Sequence, residues 1–426
     1  MERRNHRPQV SLFYFIIFMM SVSIVIIVYT LPFSEIAYIR VDHIIWLLLF
    51  IVSFFAGALS FKQWSKYPSA SILIIFCLIC LASTMSIFAT KITKMNVYSS
   101  LFYQMAMYQC ALVFLITLSS FPIEKRETFI NWVIFMGVML SIIGLLQFLY
   151  ILPPHEYIAG MGNLDNRATA LLSFNSLHLA TYLVTSVLLG YGVFLQQKSF
   201  ITKGVLFISL LLMIIVLILT KARSAWLGFL IGNIIFALVT LKMTNGKSII
   251  LIMITFIVLS IGIFYMGNVN KVVNEAVEKR DSSAIHRLIT YDLFFDYIKN
   301  HPLVLVTGVG FMNWRYALTG ETASSAGHNV YLQILGDLGI GGLLLFLWFW
   351  YRNFKMAAKL ARDGDFWGRM LLPIIGAYLA TCLTSDILYP GSAMENCLFF
   401  IMLITGVVLS AYDAETPSVA AEKAVS

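Results

Sequence analysis

The chain has 426 residues, 60% of them hydrophobic and only 12% charged, with a formal net charge of +8. Soluble globular domains carry about 25% charged residues, so the composition argues against a soluble enzyme and leaves no basic patch for nucleic acid. Apolar runs of about 20 residues recur from end to end, each long enough to cross a hydrocarbon core of about 30 Å, and because they are continuous rather than alternating, helices and not a barrel must pair the backbone.

Taken in chain order, the runs predict twelve transmembrane helices, at about 10–31, 44–61, 69–90, 99–120, 128–150, 176–195, 203–220, 224–241, 248–267, 329–351, 370–388 and 394–412. The first follows Arg3, Arg4 and Arg7, ends without a small-residue cleavage site, and reads as an uncleaved span. Only Lys221-Ala222-Arg223 separates 203–220 from 224–241, and without that break the later topology inverts. With the amino terminus inside, 17 of the 29 basic residues fall on short inner segments, five of them between 352 and 369. Both termini are then cytoplasmic. The expected organisation is helices 1–9 over residues 1–267, a large extracytoplasmic loop over 268–328, helices 10–12 over 329–412 and a cytoplasmic tail over 413–426.

Two outer segments are long, about 151–175 and 268–328, and loops of that length are usually functional. The larger should contain a helix, with Ser282 or Ser283 as N-cap and Ile285, Leu288, Phe295 and Ile298 on one apolar face. Asn300-His301-Pro302 should stop it. The two glycines of "LVLVTGVGFMNW" suggest a tight turn or a close backbone approach. Gly336, Gly339 and Gly342, at intervals of three, should permit close packing of the tenth helix.

Four places could carry chemistry. Lys221 and Arg223 sit between two apolar runs, where cations are costly; they either snorkel to the interface beside Trp226 or bind an anion. Arg287, on the loop helix, either pairs with lipid phosphate, Asp292 or Asp296, or joins Arg223 in a bidentate clamp on a phosphate or diphosphate. His328 falls in the first turn of the tenth helix, where the dipole keeps imidazole neutral and able to accept a proton. Its bland alternative is an interfacial histidine that hydrogen-bonds a neighbour. Arg167 lies in the other long loop, ahead of Ser173, Asn175 and His178.

Other signals fail. Ala159 stands where a zinc helix starting at His155-Glu156 would need a second histidine. Asp363-Gly364-Asp365 reads as a turn in a basic inner loop rather than a metal motif. Cys77, Cys80, Cys110, Cys382 and Cys397 lie within apolar runs and read as packing residues. With no clustered carboxylates in the outer loops, no metal site and no cofactor are expected.

Three segments, "KARSAWLGFLIG" (221–232), "HRLITYDLFFDYIKNHPLVLVTGVGFMNW" (286–314) and "GHNVYLQILGDLGIGGLLLF" (327–346), resemble the bacterial O-antigen ligase and polysaccharide polymerase superfamily. "RATALLSFNSLHLA" (167–180) is loosely similar to an earlier segment of that family. Lys221 departs from the commoner Ser/Thr, and "LVLVTGVGF" is longer than the usual form. The resemblance implies an all-α polytopic membrane protein of the GT-C-like type. Its activity would be that of a metal-independent, inverting glycosyltransferase in the bacterial inner membrane, acting on the periplasmic face. The implied donor is a glycan on undecaprenyl diphosphate; the acceptor is lipid A–core for a ligase, slightly preferred on span number, or another lipid-linked glycan for a polymerase. Arg223 and Arg287 would then bind the diphosphate and His328 would activate the acceptor hydroxyl, with Arg167, Lys221 and Asn329 completing the substrate-binding set. A transporter or flippase of an anionic lipid or solute is the competing class. It would need broken helices and charges near mid-membrane, whereas the unusual charges here gather at outer helix ends.

Overall fold

The computed structural model describes residues 30–32, 38–40, 67–89, 94–152, 168, 176–244, 277–311, 313–314, 329–385, 387 and 395–412. Two three-residue strands, β1 (Thr30–Pro32) and β2 (Tyr38–Arg40), pair antiparallel, with Leu31 opposite Ile39. The other described elements are helical: α1 (Pro68–Ala89), α2 (Lys94–Ser120), α3 (Arg126–Phe148), α4 (Ser176–Gln196), α5 (Phe200–Leu219), α6 (Arg223–Thr244), α7 (Val277–Asn300), the single turn Val304–Thr307, α8 (Val330–Arg362), α9 (Phe366–Thr381) and α10 (Glu395–Leu409). Five helical segments among the described residues are long and apolar enough to cross a membrane: Ile123–Phe148, Ser176–Gln196, Phe200–Leu219, Arg223–Leu241 and Val330–Arg362. The spans expected at 10–31, 44–61 and 248–267 lie wholly or almost wholly outside the described residues.

Except for the charged α7, most of the helices are apolar on nearly all sides, which suits a bundle sheathed in lipid. On α8 the side chains of Ile340, Leu344, Leu347 and Trp348 form an exposed stripe, while Phe346, Phe349 and Trp350 turn inward. α8 packs against α1 and α9, α2 against α10, and α4 against α5 and α6. The most extensive contact joins α6 to α9. It is made possible by Gly228 and Gly232, four residues apart on one face. A β-carbon on Gly228 would overlap Thr381 Oγ1 and the Ala377 carbonyl, and one on Gly232 would press on Ala377 Cβ. The "LGFLIG" stretch is therefore a packing motif.

One end of the bundle is stapled by charge. Arg126, at the start of α3, grips Asp365 through both guanidinium nitrogens, one at 3.1 Å, and also donates to the Val408 carbonyl at 3.3 Å. Asp365 simultaneously caps α9 by accepting from Gly368 N at 2.8 Å. Gly364, at φ +99°, makes the turn between α8 and α9. Asp363-Gly364-Asp365 is thus a helix-turn-helix joint, as a turn reading requires. All five cysteines are buried or half-buried, as packing residues are.

Two boundaries and one buried face differ from expectation. α8 runs to Arg362 instead of 351, because Asn353, Met356, Ala357 and Leu360 continue a buried helical face and no breaker intervenes before Gly364. α7 begins at Val277, so Ser282 and Ser283 lie inside it and do not cap it, although it ends at Asn300 as expected. Phe295, expected on the packed face, is exposed, and Phe294 is the buried residue, because Trp314 stacks edge-on to Phe294 at 4.3 Å between ring centroids.

Candidate functional site

At the end of the bundle opposite the Arg126–Asp365 pair, α9 runs out and its last carbonyls lack partners of their own helix. Neighbouring helices supply donors. The Tyr331 hydroxyl donates to Leu379 O at 2.7 Å, Val330 N to Cys382 O at 3.1 Å, Asn329 Nδ2 to Leu383 O at 3.1 Å, and Ser224 Oγ to Thr384 O at 3.0 Å. The starts of α6 and α8 are therefore stitched to adjacent carbonyls of one short stretch. Asn329 is also the N-cap of α8: its Oδ1 accepts from Tyr331 N and Leu332 N at 3.0 and 3.1 Å. This is the work of a good capping residue, and it uses both ends of the amide.

The break between α5 and α6 sits at the same end. The Thr220 hydroxyl donates back to Leu217 O at 2.6 Å and accepts from Ala222 N at 3.3 Å. Lys221 adopts φ +55°, a left-handed conformation uncommon outside glycine. Trp226 Nε1 donates to Leu217 O at 3.0 Å, which locks the corner. Two separate helices therefore replace one long one at Lys221-Ala222-Arg223. Arg223 is the first residue of α6 and exposed, and among the described residues it has no hydrogen-bond or ion-pair partner. Lys221 is half-buried and engaged. Ala168 N donates to Leu219 O at 3.2 Å, which brings the residue after Arg167 to within two positions of Lys221.

The large loop reaches this region from below. α8 is interrupted at Gly339 (φ +69°), which frees the carbonyls of the preceding turn. Val309 N and Gly310 N donate to Gly336 O and Asp337 O at 2.9 and 3.0 Å. Gly308 (φ +68°) and Gly339 allow the two chains to touch: a β-carbon on Gly308 would strike Asp337 O, and one on Gly339 would strike Val306 O. Trp314 N donates to the fully buried Asp337 carboxylate at 2.8 Å, while its ring covers Gly336. Phe311 N donates to Ser83 Oγ at 3.0 Å. The expected tight turn and close approach are both present at Gly308–Gly310. The glycines of α8, expected to admit a neighbouring helix, instead admit this loop at Gly336 and Gly339, while Gly342 abuts its own Leu338. A helix broken by left-handed glycine exposes carbonyls that a loop can use and a straight helix cannot.

Of the sequence candidates, Lys221, Arg223 and Asn329 come together at this end, and Ala168 brings the chain next to Arg167 alongside them. Arg167 and His328 themselves lie outside the described residues, as do Ser173 and Asn175; because Asn329 caps α8, the helix begins after position 328, and His328 does not fall in its first turn as expected. Arg287 is on α7, two helical turns before Phe294, but its side chain lies outside the description. His178 is the third residue of α4, at the helix entrance as expected, and is buried. Asp337, Trp314, Ser224 and Thr384 were not foreseen. The glycine spacing and the lone carboxylate in an apolar run were the signals available for Asp337.

These elements, from the end of α5 through α7 to the first half of α8, fall within one matched segment: residues 208–347, about a third of the chain, match the family model described as O-antigen ligase. Over that segment the chain is similar to the O-antigen ligase family. No curated protein matches the chain. The five long apolar helices among the described residues are those of an integral membrane protein.

Proposed function

We propose that the chain is a membrane glycosyltransferase that moves a glycan from undecaprenyl diphosphate to an acceptor hydroxyl on the extracytoplasmic face, with lipid A–core as acceptor in the ligase form. The observation that carries this is the meeting of the Arg223 corner and the start of α8, both within the matched segment, on the adjacent carbonyls of Thr384 and Leu383 just past the end of α9. Arg223 is exposed at a helix start, with no side-chain partner among the described residues, where it suits an anion. The residue before the Asn329 cap is His328.

The chemistry needs little else. The glycosyl–diphosphate bond is already activated. The acceptor oxygen attacks the anomeric carbon from the face opposite the diphosphate, and the carbon–oxygen bond to phosphate breaks with inversion. His328 takes the acceptor proton. Arg223 and Arg287 neutralise the diphosphate as it leaves, with Lys221 and Arg167 adding positive charge and Asn329 fixing the helix start that carries the base. Charge neutralisation by guanidinium makes a metal-independent route sufficient, in a GT-C-like scaffold of the inner membrane with both termini cytoplasmic.

A polymerase uses the same steps with a second lipid-linked glycan as acceptor, and gene deletion separates the two. Full-length glycan chains accumulating on the lipid carrier indicate a ligase; single repeat units on the carrier indicate a polymerase. Donor retained on the cytoplasmic leaflet would indicate a transporter and overturn the proposal.

A further inference from the structure

We propose that Pro302–Gly310 is a re-entrant turn set within the acyl-chain layer of the bilayer, with Leu303 and Val306 in contact with lipid. The stretch from Pro302 to Trp314 contains no charged residue. Leu303 and Val306 are nevertheless 76% and 66% exposed. An outward apolar surface on a chain read as lying in an aqueous loop calls for a covering, and the helix register supplies one.

Two helices give independent measures of depth. Phe311 N bonds Ser83, six residues before the end of α1 at Ala89. Gly310 N bonds the carbonyl of Asp337, seven residues after the start of α8 at Val330. At about 1.5 Å per residue these positions lie about 9 Å and 10 Å inside the two helix ends. In the other direction Ser83 is fourteen residues, or about 21 Å, from Ser69, which meets Met356 at the far end of the same helix pair. The turn therefore sits below the surface of a core about 30 Å thick.

The lipid-facing stripe of α8 continues onto it. Val306 O lies against Gly339, and the next residue, Ile340, is the first of the exposed residues Ile340, Leu344, Leu347 and Trp348. Backbone buried at this depth must be paired. The donations from Val309, Gly310 and Phe311 to Gly336, Asp337 and Ser83 meet that requirement on the protein side, leaving the apolar side chains for lipid.

The test uses the full chain in phosphatidylethanolamine–phosphatidylglycerol vesicles, with a nitroxide on Val306→Cys or, as a second variant, Leu303→Cys. The parent protein with its five native thiols gives the background. Leu344→Cys serves as the lipid reference and Glu124→Cys as the aqueous one. Relaxation by oxygen should exceed that by a nickel chelate several-fold at Val306 and Leu303, as at Leu344. Nickel accessibility matching that of Glu124 overturns the proposal, and so does shielding from both agents, which would mean that protein covers the turn. The proposal rests on the membrane register alone, so its failure leaves the glycosyl-transfer reading standing.

Discussion

Arg223 was legible as a candidate because a cation between two apolar runs is costly unless it has a use. Its exposure at the first turn of α6, without a side-chain partner among the described residues, sharpens the expectation. Arg223→Ala should reduce glycan transfer by about 10- to 100-fold, the range of a charge-assisted contact to phosphate. Arg223→Lys should recover only part of it, since a point charge does not reproduce a bidentate fork. Transfer rates at saturating donor, measured with purified protein in vesicles, check both. Asn329 caps α8 with one end of its amide and holds α9 with the other. Asn329→Ala should therefore lower stability by about 1–2 kcal/mol and, by loosening the helix start next to His328, lower turnover in the protein that remains folded. Thermal unfolding in detergent beside the turnover number separates the two effects. Ser224 and Thr384 could not be foreseen, because the bond between them joins stretches far apart in the sequence.

The helices themselves could be read from uninterrupted apolar runs, since a membrane leaves the backbone no alternative pairing. Their ends could not, because those depend on tertiary partners: α6 and the start of α8 take the carbonyls just past the end of α9, and α8 continues because its buried face does. The kink in α8 was visible only as a glycine. Gly339→Ala and Gly308→Ala should each cost at least about 2 kcal/mol, because each position combines positive φ with a carbonyl closer than any β-carbon tolerates. Gly341→Ala, with nothing within 4 Å, should instead be neutral or stabilise α8 by about 0.5–1 kcal/mol. Melting temperatures of the three variants in one detergent test this contrast. Asp337→Asn retains an oxygen to accept from Trp314 N and should keep more activity than Asp337→Leu, which leaves that N–H without its acceptor.

Across the whole molecule the two ends have different jobs. The Arg126–Asp365 pair fastens α3, α9 and the end of α10 at one end; the arginine corner, the start of α8 and the latched loop gather at the other. Arg126→Ala should destabilise the bundle by about 3 kcal/mol, because a buried carboxylate loses its partner, while activity per folded molecule stays near that of the parent. The most direct test of the account is His328→Ala, matched to the parent for membrane abundance and read as a ladder of surface glycan in cells lacking the native gene. Base catalysis is worth about 10²- to 10⁴-fold, so the account predicts that the ladder disappears and lipid-linked glycan accumulates. A ladder of parental length and intensity from stably inserted His328→Ala would contradict it.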